Sequence, residues 1–400
     1  GKLSDRGYTI AKIFGWLLVS YTLFLLSTVK LLPLHFGSLV LIVLVWLGIN
    51  LFLEKKHTIL KQKPINLNQI ILIEISFFLL MVSWAFIRAH DPAIQGIERF
   101  MDFGFINTLF NAQTLPLYDM WFSGGQVNYY YFGHFIGYVV LSLSNISPVP
   151  GFFVLIAWMF GLLGITVYRL GVEVFSLFPV RQLESGKKKF LVFTAGVISF
   201  FMVMLAGTWH TIVLFLNWLK HVFFETPTPN FWYPEPTRII PGTITEMPIY
   251  GFLEADLHPH TWGWLVAVSI LALLFAFWKD TNHRLNFKNP YLWLLVFLLG
   301  IVYMTNPWAT LTLGTLSIFV ILFKFHKTSK KYLIGATLLL AVGAYTVALP
   351  WSLFYDLPIE GIGFVKNRSP LLPWLSFWGP TVVLLLLFLL RAIRIRLEKK

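Results

Sequence analysis

The sequence predicts an all-α polytopic membrane protein, and three observations carry that prediction. Of 400 residues, 57% are hydrophobic and only 12% are charged, too few to coat a soluble domain. Long apolar runs recur, and about eleven approach the length of roughly 20 residues that a helix needs to cross the hydrocarbon core. The lysines and arginines gather in short loops between those runs, as the positive-inside rule requires. A transmembrane β-barrel would show short alternating segments instead.

The first two spans are Tyr8–Val29 and Leu34–Leu53. Tyr8–Val29 is too long for a cleaved signal peptide and reads as a span, in a chain that opens on Gly1 and can be a piece of a longer product. A loop with Lys55, Lys56, Lys61 and Lys63 follows, hence on the inner side. Span three, Gln69–Ile87, carries Glu74 as an interfacial or bundle-facing acid and delivers Arg88 to the outer face. The first outer loop, 88–128, is long enough to be functional rather than connective.

Two apolar stretches come next, Tyr129–Ile146 and Phe152–Phe178, before a basic segment at Arg181–Lys189. Two crossings would leave that basic segment outside. Tyr129–Ile146 is therefore expected to be an interfacial or re-entrant helix, with its tyrosines at the water–lipid boundary. The alternative is a break near Gly161–Gly164. Phe190–Phe215 leads to the second outer loop, 217–260, and Thr261–Trp278 returns to Lys279, Arg284 and Lys288. Tyr291–Met304 and Leu311–Phe325 pair across Thr305-Asn306-Pro307-Trp308. Tyr332–Trp351 leads to the third outer loop, 352–374, which bears Asp356, Glu360, Lys366 and Arg368, and Leu375–Leu390 ends at a basic tail. The whole chain, 1–400, is expected to be one transmembrane domain with juxtamembrane helices in its large outer loops.

The formal charge of +13 belongs to those basic loops. It implies membrane topology and anionic headgroups rather than nucleic acid, and it places the chain in the cell membrane with the long loops on the extracytoplasmic side. The absence of cysteine excludes disulfides, thiolate zinc sites and cysteine nucleophiles. There is no P-loop, dinucleotide glycine motif or nucleophile elbow, so any chemistry draws on an activated substrate rather than on ATP.

The acids and histidines gather in the outer loops. Glu98 and Asp102 are four apart and share a face if that stretch is helical, close enough to bind a divalent cation or to make one of them a base. Asp119 precedes Ser123-Gly124-Gly125 and also suits an Asx-turn. Tyr129, Tyr130 and Tyr131, followed by Gly133 and His134, offer flat surfaces for sugar rings or prenyl chains, or an interfacial aromatic belt. In Glu254-Ala255-Asp256-Leu257-His258-Pro259-His260 the ionisable residues are two apart, and Pro259 disfavours helix at His258. Extended chain would place all four on one side, where Asp256, His258 and His260 suit a divalent metal such as Mg or Mn, or an acid/base pair. Glu246 lies nearby in sequence, and Arg238, Lys366 and Arg368 suit a phosphate.

At these residues the chain resembles the "YYY" membrane-protein family, a large prokaryotic family of unassigned function. The resemblance rests on Glu98 with Met101-Asp102, Asp119-Met120-Trp121 with Asn128-Tyr129-Tyr130-Tyr131-Phe132-Gly133-His134, Arg238-Ile239-Ile240-Pro241-Gly242-Thr243, Glu246-Met247-Pro248 and Asp256-Leu257-His258-Pro259-His260. It departs from the family pattern at Met120, at Met247-Pro248, and at Asn306-Pro307-Trp308-Ala309, which lacks the usual acid. The layout is also similar to that of GT-C glycosyltransferases, multi-span enzymes that use polyprenyl-phosphate sugars. That likeness implies a lipid-linked sugar donor and membrane lipids as partners. Asp102 or Glu98 would be the base, Arg238, Lys366 or Arg368 would hold the phosphate, and Asp256, His258 and His260 would bind a metal or orient the acceptor. Two other readings of the same residues are a lipid or glycan transporter or flippase, and a non-catalytic subunit of an envelope complex.

Overall fold

Proline and asparagine mark where many of the helices begin. A proline at the first helical position needs no partner for its missing N–H, and its fixed φ suits the helix. Pro148, Pro248, Pro259, Pro290 and Pro307 each open one. Asn66, Asn289 and Asn306 place a side-chain oxygen on the amide of Asn68, Tyr291 and Ala309 respectively, each satisfying a helix-end donor. Asp5 does the same for the first helix, accepting from the amides of Gly7 and Thr9.

The computed structural model describes residues 2–57, 65–96, 98–177, 184–227, 237–243, 245–281, 285–357, 363–364 and 366–397. Lys61, Lys63, Arg181, Arg284, Glu360, Lys399 and Lys400 lie outside the described residues. The helices are α1 (Tyr8–Thr28), α2 (Phe36–His57), α3 (Leu67–Arg88), α4 (Arg99–Asn111), α5 (Phe132–Leu143), α6 (Pro148–Phe175), α7 (Ser185–Phe200), α8 (His210–Phe224), α9 (Pro248–Glu254), α10 (Pro259–Lys279), α11 (Pro290–Thr305), α12 (Pro307–Lys324), α13 (Lys330–Ser352) and α14 (Leu371–Leu397). Among the described residues, nine helices are long and apolar enough to cross a membrane, and α5 and α11 are shorter apolar helices. The protein is an all-helical, multi-pass membrane protein.

The chain divides into two compact units, Gly1–Phe200 with Ala255–Pro358, and Phe201–Glu254 with Ile359–Lys400. In the first unit α6 and α10 are the most buried of the long helices. Contacts at the helix ends sort the connections. At one end Lys279 pairs with Glu173 (3.2 Å), Lys2 with Asp280 (3.3 Å), and Tyr291 donates to Asp280 (3.2 Å). At the other, Lys30 reaches Thr114, Arg88 lies over the Phe153 ring, Asn128 exchanges two hydrogen bonds with Asp356, and Trp351 donates to the Tyr129 carbonyl. Glu74, near the start of α3, binds Lys12 (2.6 Å) and accepts from Tyr8 (2.8 Å), so this intramembrane acid is paired within the bundle.

These contacts resolve the crossing count between residues 128 and 181. Twelve residues of α5 rise about 18 Å, short of the roughly 30 Å core. Its first turn packs on Trp262, Phe24 lies 5.2 Å from Phe132 and 5.1 Å from Phe135, and α6 starts beside Arg88 at the same end. So α5 stays at one end and α6 alone crosses. No break occurs at Gly161–Gly164. α6 is continuous there, and the missing side chains let α3 and α7 approach: a Cβ on Gly161 would lie 2.8 Å from the Phe77 carbonyl, and one on Gly164 2.8 Å from the Phe200 ring. Close backbone approach at small residues is how helices associate in lipid, where apolar burial supplies little drive.

In the second unit a π-helical turn spans Phe201–Leu205, and the chain pauses at Ala206-Gly207-Thr208 before α8. The apolar run expected to continue to Phe215 is therefore two elements, because glycine in the interruption weakens a helix that lacks packing to override it. The Trp209 amide donates to the Ser376 carbonyl at 2.9 Å, and Gly379 of α14 fits against the Trp209 ring.

Candidate functional site

Glu98, Asp102, His134, Asp256, His258 and His260 of the first unit meet where α4, α5 and α10 begin. Glu98 precedes α4, and the Asp102 amide donates to the Glu98 carbonyl at 3.0 Å, so the two carboxylates do share one helix face. Pro259 starts α10 and leaves His258 as the residue before it. The segment preceding it is not an extended strand. Ala255 sits in the left-handed region at φ 54°, where α9 has just ended, and this turn breaks the period-two alignment expected of Glu254 to His260. Asp256 then closes an Asx-turn, accepting from the His258 amide at 2.9 Å. The i,i+4 spacing at the start of α10 returns His260 to it, with Nε2 3.8 Å from Asp256 Oδ2.

His258 is the hub. Its Nδ1 lies 3.5 Å from Glu98 Oε2 and 3.8 Å from Asp102 Oδ1, and its Nε2 is 2.6 Å from the Tyr129 hydroxyl. Tyr130 stacks on Tyr129 at 4.4 Å, Phe105 stacks on its other face at 5.3 Å, and the His260 ring is 5.2 Å from that of His258. Burial, then the neighbouring tyrosine and carboxylates, push the Tyr129 hydroxyl upward. It stays protonated and can either donate to His258 Nε2 or accept from it, so it matches whichever tautomer the ring adopts.

Behind the hub the groups are sealed from solvent. Asp102 is 0% exposed, and its Oδ1 lies 2.8 Å from Nε2 of the equally buried His134. Burial holds the imidazole neutral, down to about 3. Burial and then the charge of Glu98 push the Asp102 carboxyl well up. Asp256 is pushed up to about 8 by burial and then by the charge of Asp102. The geometry fits one pattern, in which His134 Nε2 donates to Asp102 Oδ1. His134 Nδ1, which has no partner among the described residues, is then a bare acceptor, less costly than a buried N–H without one.

Glu98 remains half exposed, at 50%, and is the carboxylate a water-borne or headgroup-level molecule meets first. Asp102, expected as a base, is sealed from solvent, with His258 Nδ1 3.8 Å from its Oδ1. Glu98, Asp256 and His258 present ligand atoms within 4.8 Å of one another. Carboxylate oxygens with one imidazole suit a hard or borderline divalent cation.

Other expected site residues take different places. Tyr131 is buried in the first unit against Phe24, so it forms core rather than an open platform. Asp119 folds an Asx-turn, accepting from the amides of Trp121 (2.7 Å) and Phe122 (2.9 Å). Arg238 and Glu246 belong to the second unit, where they pair at 2.9 Å and the guanidinium lies 5.3 Å from the Tyr250 ring centre. Lys366 and Arg368 also belong to that unit and are exposed. Residues not singled out in the sequence support the cluster: Phe105 under Tyr129, and Trp351, which donates to the Tyr129 carbonyl at 2.9 Å. Trp351 was visible only as an apolar helix end.

A family model described as "Uncharacterized membrane protein (DUF2298)" matches residues 18–399. The chain belongs to that family. The match covers every residue of the acid–histidine cluster and nearly all of both units. No curated protein and no solved structure matches the chain.

Proposed function

We propose that this DUF2298 protein is a membrane glycosyltransferase that moves a sugar from a polyprenyl-phosphate-linked donor to an acceptor hydroxyl at the outer face of the cell membrane. The observation that carries the reading is the convergence of Glu98, Asp102 and Asp256 on the His258 imidazole, at the end of the bundle opposite the ion pairs of Lys2 and Lys279. In the proposed reaction the acceptor oxygen attacks the anomeric carbon. Its proton passes to Glu98, and the sugar–phosphate bond breaks with its electron pair leaving on the phosphate. The half-exposed Glu98 touches the acceptor, while Asp102, backed by His134, fixes His258 and takes up charge behind it. Glu98, Asp256 and His258 would hold a Mg or Mn ion, which when bound would stabilise charge on the departing phosphate. Tyr129 and Tyr130 give a flat wall for the sugar. A cleft of ≈ 390 Å³ lined by Tyr303, Thr310, Gly314, Ala341 and Tyr345 offers room for an isoprenoid chain, and Tyr303 packs on Trp351 at 5.4 Å.

The transport reading calls for ionisable groups that continue through the bundle. The acids within the nine candidate spans are Glu54, Glu74 and Glu173. Glu74 and Glu173 are tied to Lys12 and Lys279 near the other end, which favours the enzyme.

The test is release of polyprenyl phosphate from radiolabelled polyprenyl-phosphate hexoses and pentoses by the purified chain in nanodiscs, with Mg or Mn. Turnover by the wild type that Glu98→Gln abolishes is expected. Absence of turnover with every donor, or movement of intact donor across proteoliposomes, would overturn the reading.

A further inference from the structure

Two arginines lie just outside the acid–histidine cluster. Arg88 ends α3 and Arg99 opens α4, and both side chains are buried. They converge on a single oxygen: Arg88 Nη2 and Arg99 Nη1 are each 3.1 Å from Asp91 Oδ2. The Asp91 side chain is 53% exposed. A solvent-facing carboxylate thus covers the reachable side of two sheltered guanidinium groups. Arg88 also donates to the Asp91 carbonyl (2.7 Å) and Arg99 to the Ala93 carbonyl (3.0 Å), and the Phe153 ring lies 5.3 Å beneath Arg88. These contacts fix the planes of both guanidiniums before any ligand arrives. The guanidinium fork matches a phosphate better than an ammonium does, and two forks can engage several phosphate oxygens where Asp91 offers one.

Burial by itself would raise the Asp91 carboxyl, but the hydrogen bonds and charges of Arg88 and Arg99 outweigh it and hold it below its ordinary value. It is therefore an anion, and an anion already sits between the arginines. Position adds the link to chemistry. Arg99 directly follows Glu98, whose carboxylate faces His258.

We propose that Arg88 and Arg99 form a phosphate cradle in which Asp91 stands in for the phosphate of a lipid-linked substrate. Asp91 swings aside into solvent when the phosphate binds, and the arginines keep their orientation. The assignment of the phosphate to a sugar donor rests on the transferase reading above; the cradle itself does not.

The experiment measures equilibrium binding of farnesyl phosphate, farnesol and inorganic phosphate to the full chain in phosphatidylcholine nanodiscs, with thermal unfolding as the control for folding. The wild type should bind farnesyl phosphate about tenfold or more tightly than farnesol, and Arg99→Lys should remove about tenfold of that preference. Asp91→Asn is the decisive variant. Removing the competing charge should tighten farnesyl phosphate binding about tenfold, whereas a clamp with a merely structural role would give unchanged or weaker binding. A folded Asp91→Asn protein without that gain overturns the cradle. Equal binding of farnesol and farnesyl phosphate also overturns it. Inorganic phosphate binding as tightly as farnesyl phosphate overturns the lipid-linked assignment. Phosphate binding without sugar transfer keeps the cradle and removes the transferase, and transfer that Asp91→Asn and Arg99→Lys leave untouched does the reverse.

Discussion

Asp102 and His134, thirty-two positions apart, face each other at 2.8 Å with both side chains shut off from solvent. An acid held this way cannot meet a substrate, so in the proposed transferase its part is to position His258, whose Nδ1 lies 3.8 Å away. Asp102→Asn keeps the shape and the bond to His134 but removes the titratable group. It should lower kcat about 100-fold or more with KM little changed, and melting in detergent should stay close to the wild type.

His134→Ala should act on stability instead. The substitution strips the buried Asp102 carboxyl of its donor and leaves a void, a cost of about 1–3 kcal/mol for the unsatisfied group alone. Loss of folded protein in a thermal scan, with His134→Asn recovering part of it, is the expected outcome. An unchanged scan for His134→Ala would contradict the sealed dyad.

The carboxyl of Asp256, pushed up to about 8 by burial and by Asp102, sets two pH dependences. In metal-free protein it is protonated when folded and ionised when unfolded between the ordinary carboxylate range and pH 8, so stability should fall as pH rises through that window and level off above it. Asp256→Asn should flatten this slope. A divalent cation must displace the proton, so Mn affinity should climb about tenfold per pH unit below pH 8 and then plateau. Calorimetric titration with Mn at several pH values checks this.

These features differ in how far the sequence shows them. The apolar segments were legible because span length is a local property, and Glu98–Asp102 because four residues make one helical turn. The Asp102–His134 and Tyr129–His258 contacts were not. They depend on how helices such as α5 and α10 pack, and helices apolar on nearly every side carry no periodicity that says which face turns inward. The turn at Ala255 was hidden for another reason: period-two spacing implies one side only if the chain is extended, and the helix ending at Glu254 was not visible in so short a run. In the sequence Arg88 is only the residue that span three delivers to the outer face, and Arg99 only a neighbour of Glu98. Only the fold brings them to one oxygen.

Tyr129→Phe tests the hub. The ring keeps its stacking on Tyr130 and Phe105 but loses the 2.6 Å bond to His258 Nε2, which holds the imidazole in its orientation. Outer-shell partners of this kind are typically worth 10–100-fold in metal affinity or activity. Mn affinity should fall by about that factor while unfolding is little changed. Loss of folding in place of loss of affinity would make Tyr129 a packing residue.

Gly133 in α5 and Gly161 in α6 test whether close approach holds the site in place. A Cβ on Gly133 would sit 2.6 Å from the fully buried Trp262, the ring that anchors α10 beside His258, and one on Gly161 would meet a backbone carbonyl at 2.8 Å. Neither neighbour can yield cheaply, so each alanine substitution should cost about 1–3 kcal/mol. Gly133→Ala should also lower activity, because a shifted Trp262 moves the start of α10. Gly15, also within a helix but with nothing within 4 Å of an added Cβ, is the control, and its alanine variant should be neutral or slightly stabilising. A Gly133→Ala protein as stable and active as the Gly15→Ala protein would show that α5 and α10 have room to spare, and that the packing of Trp262 on α5 does not set the geometry of His258.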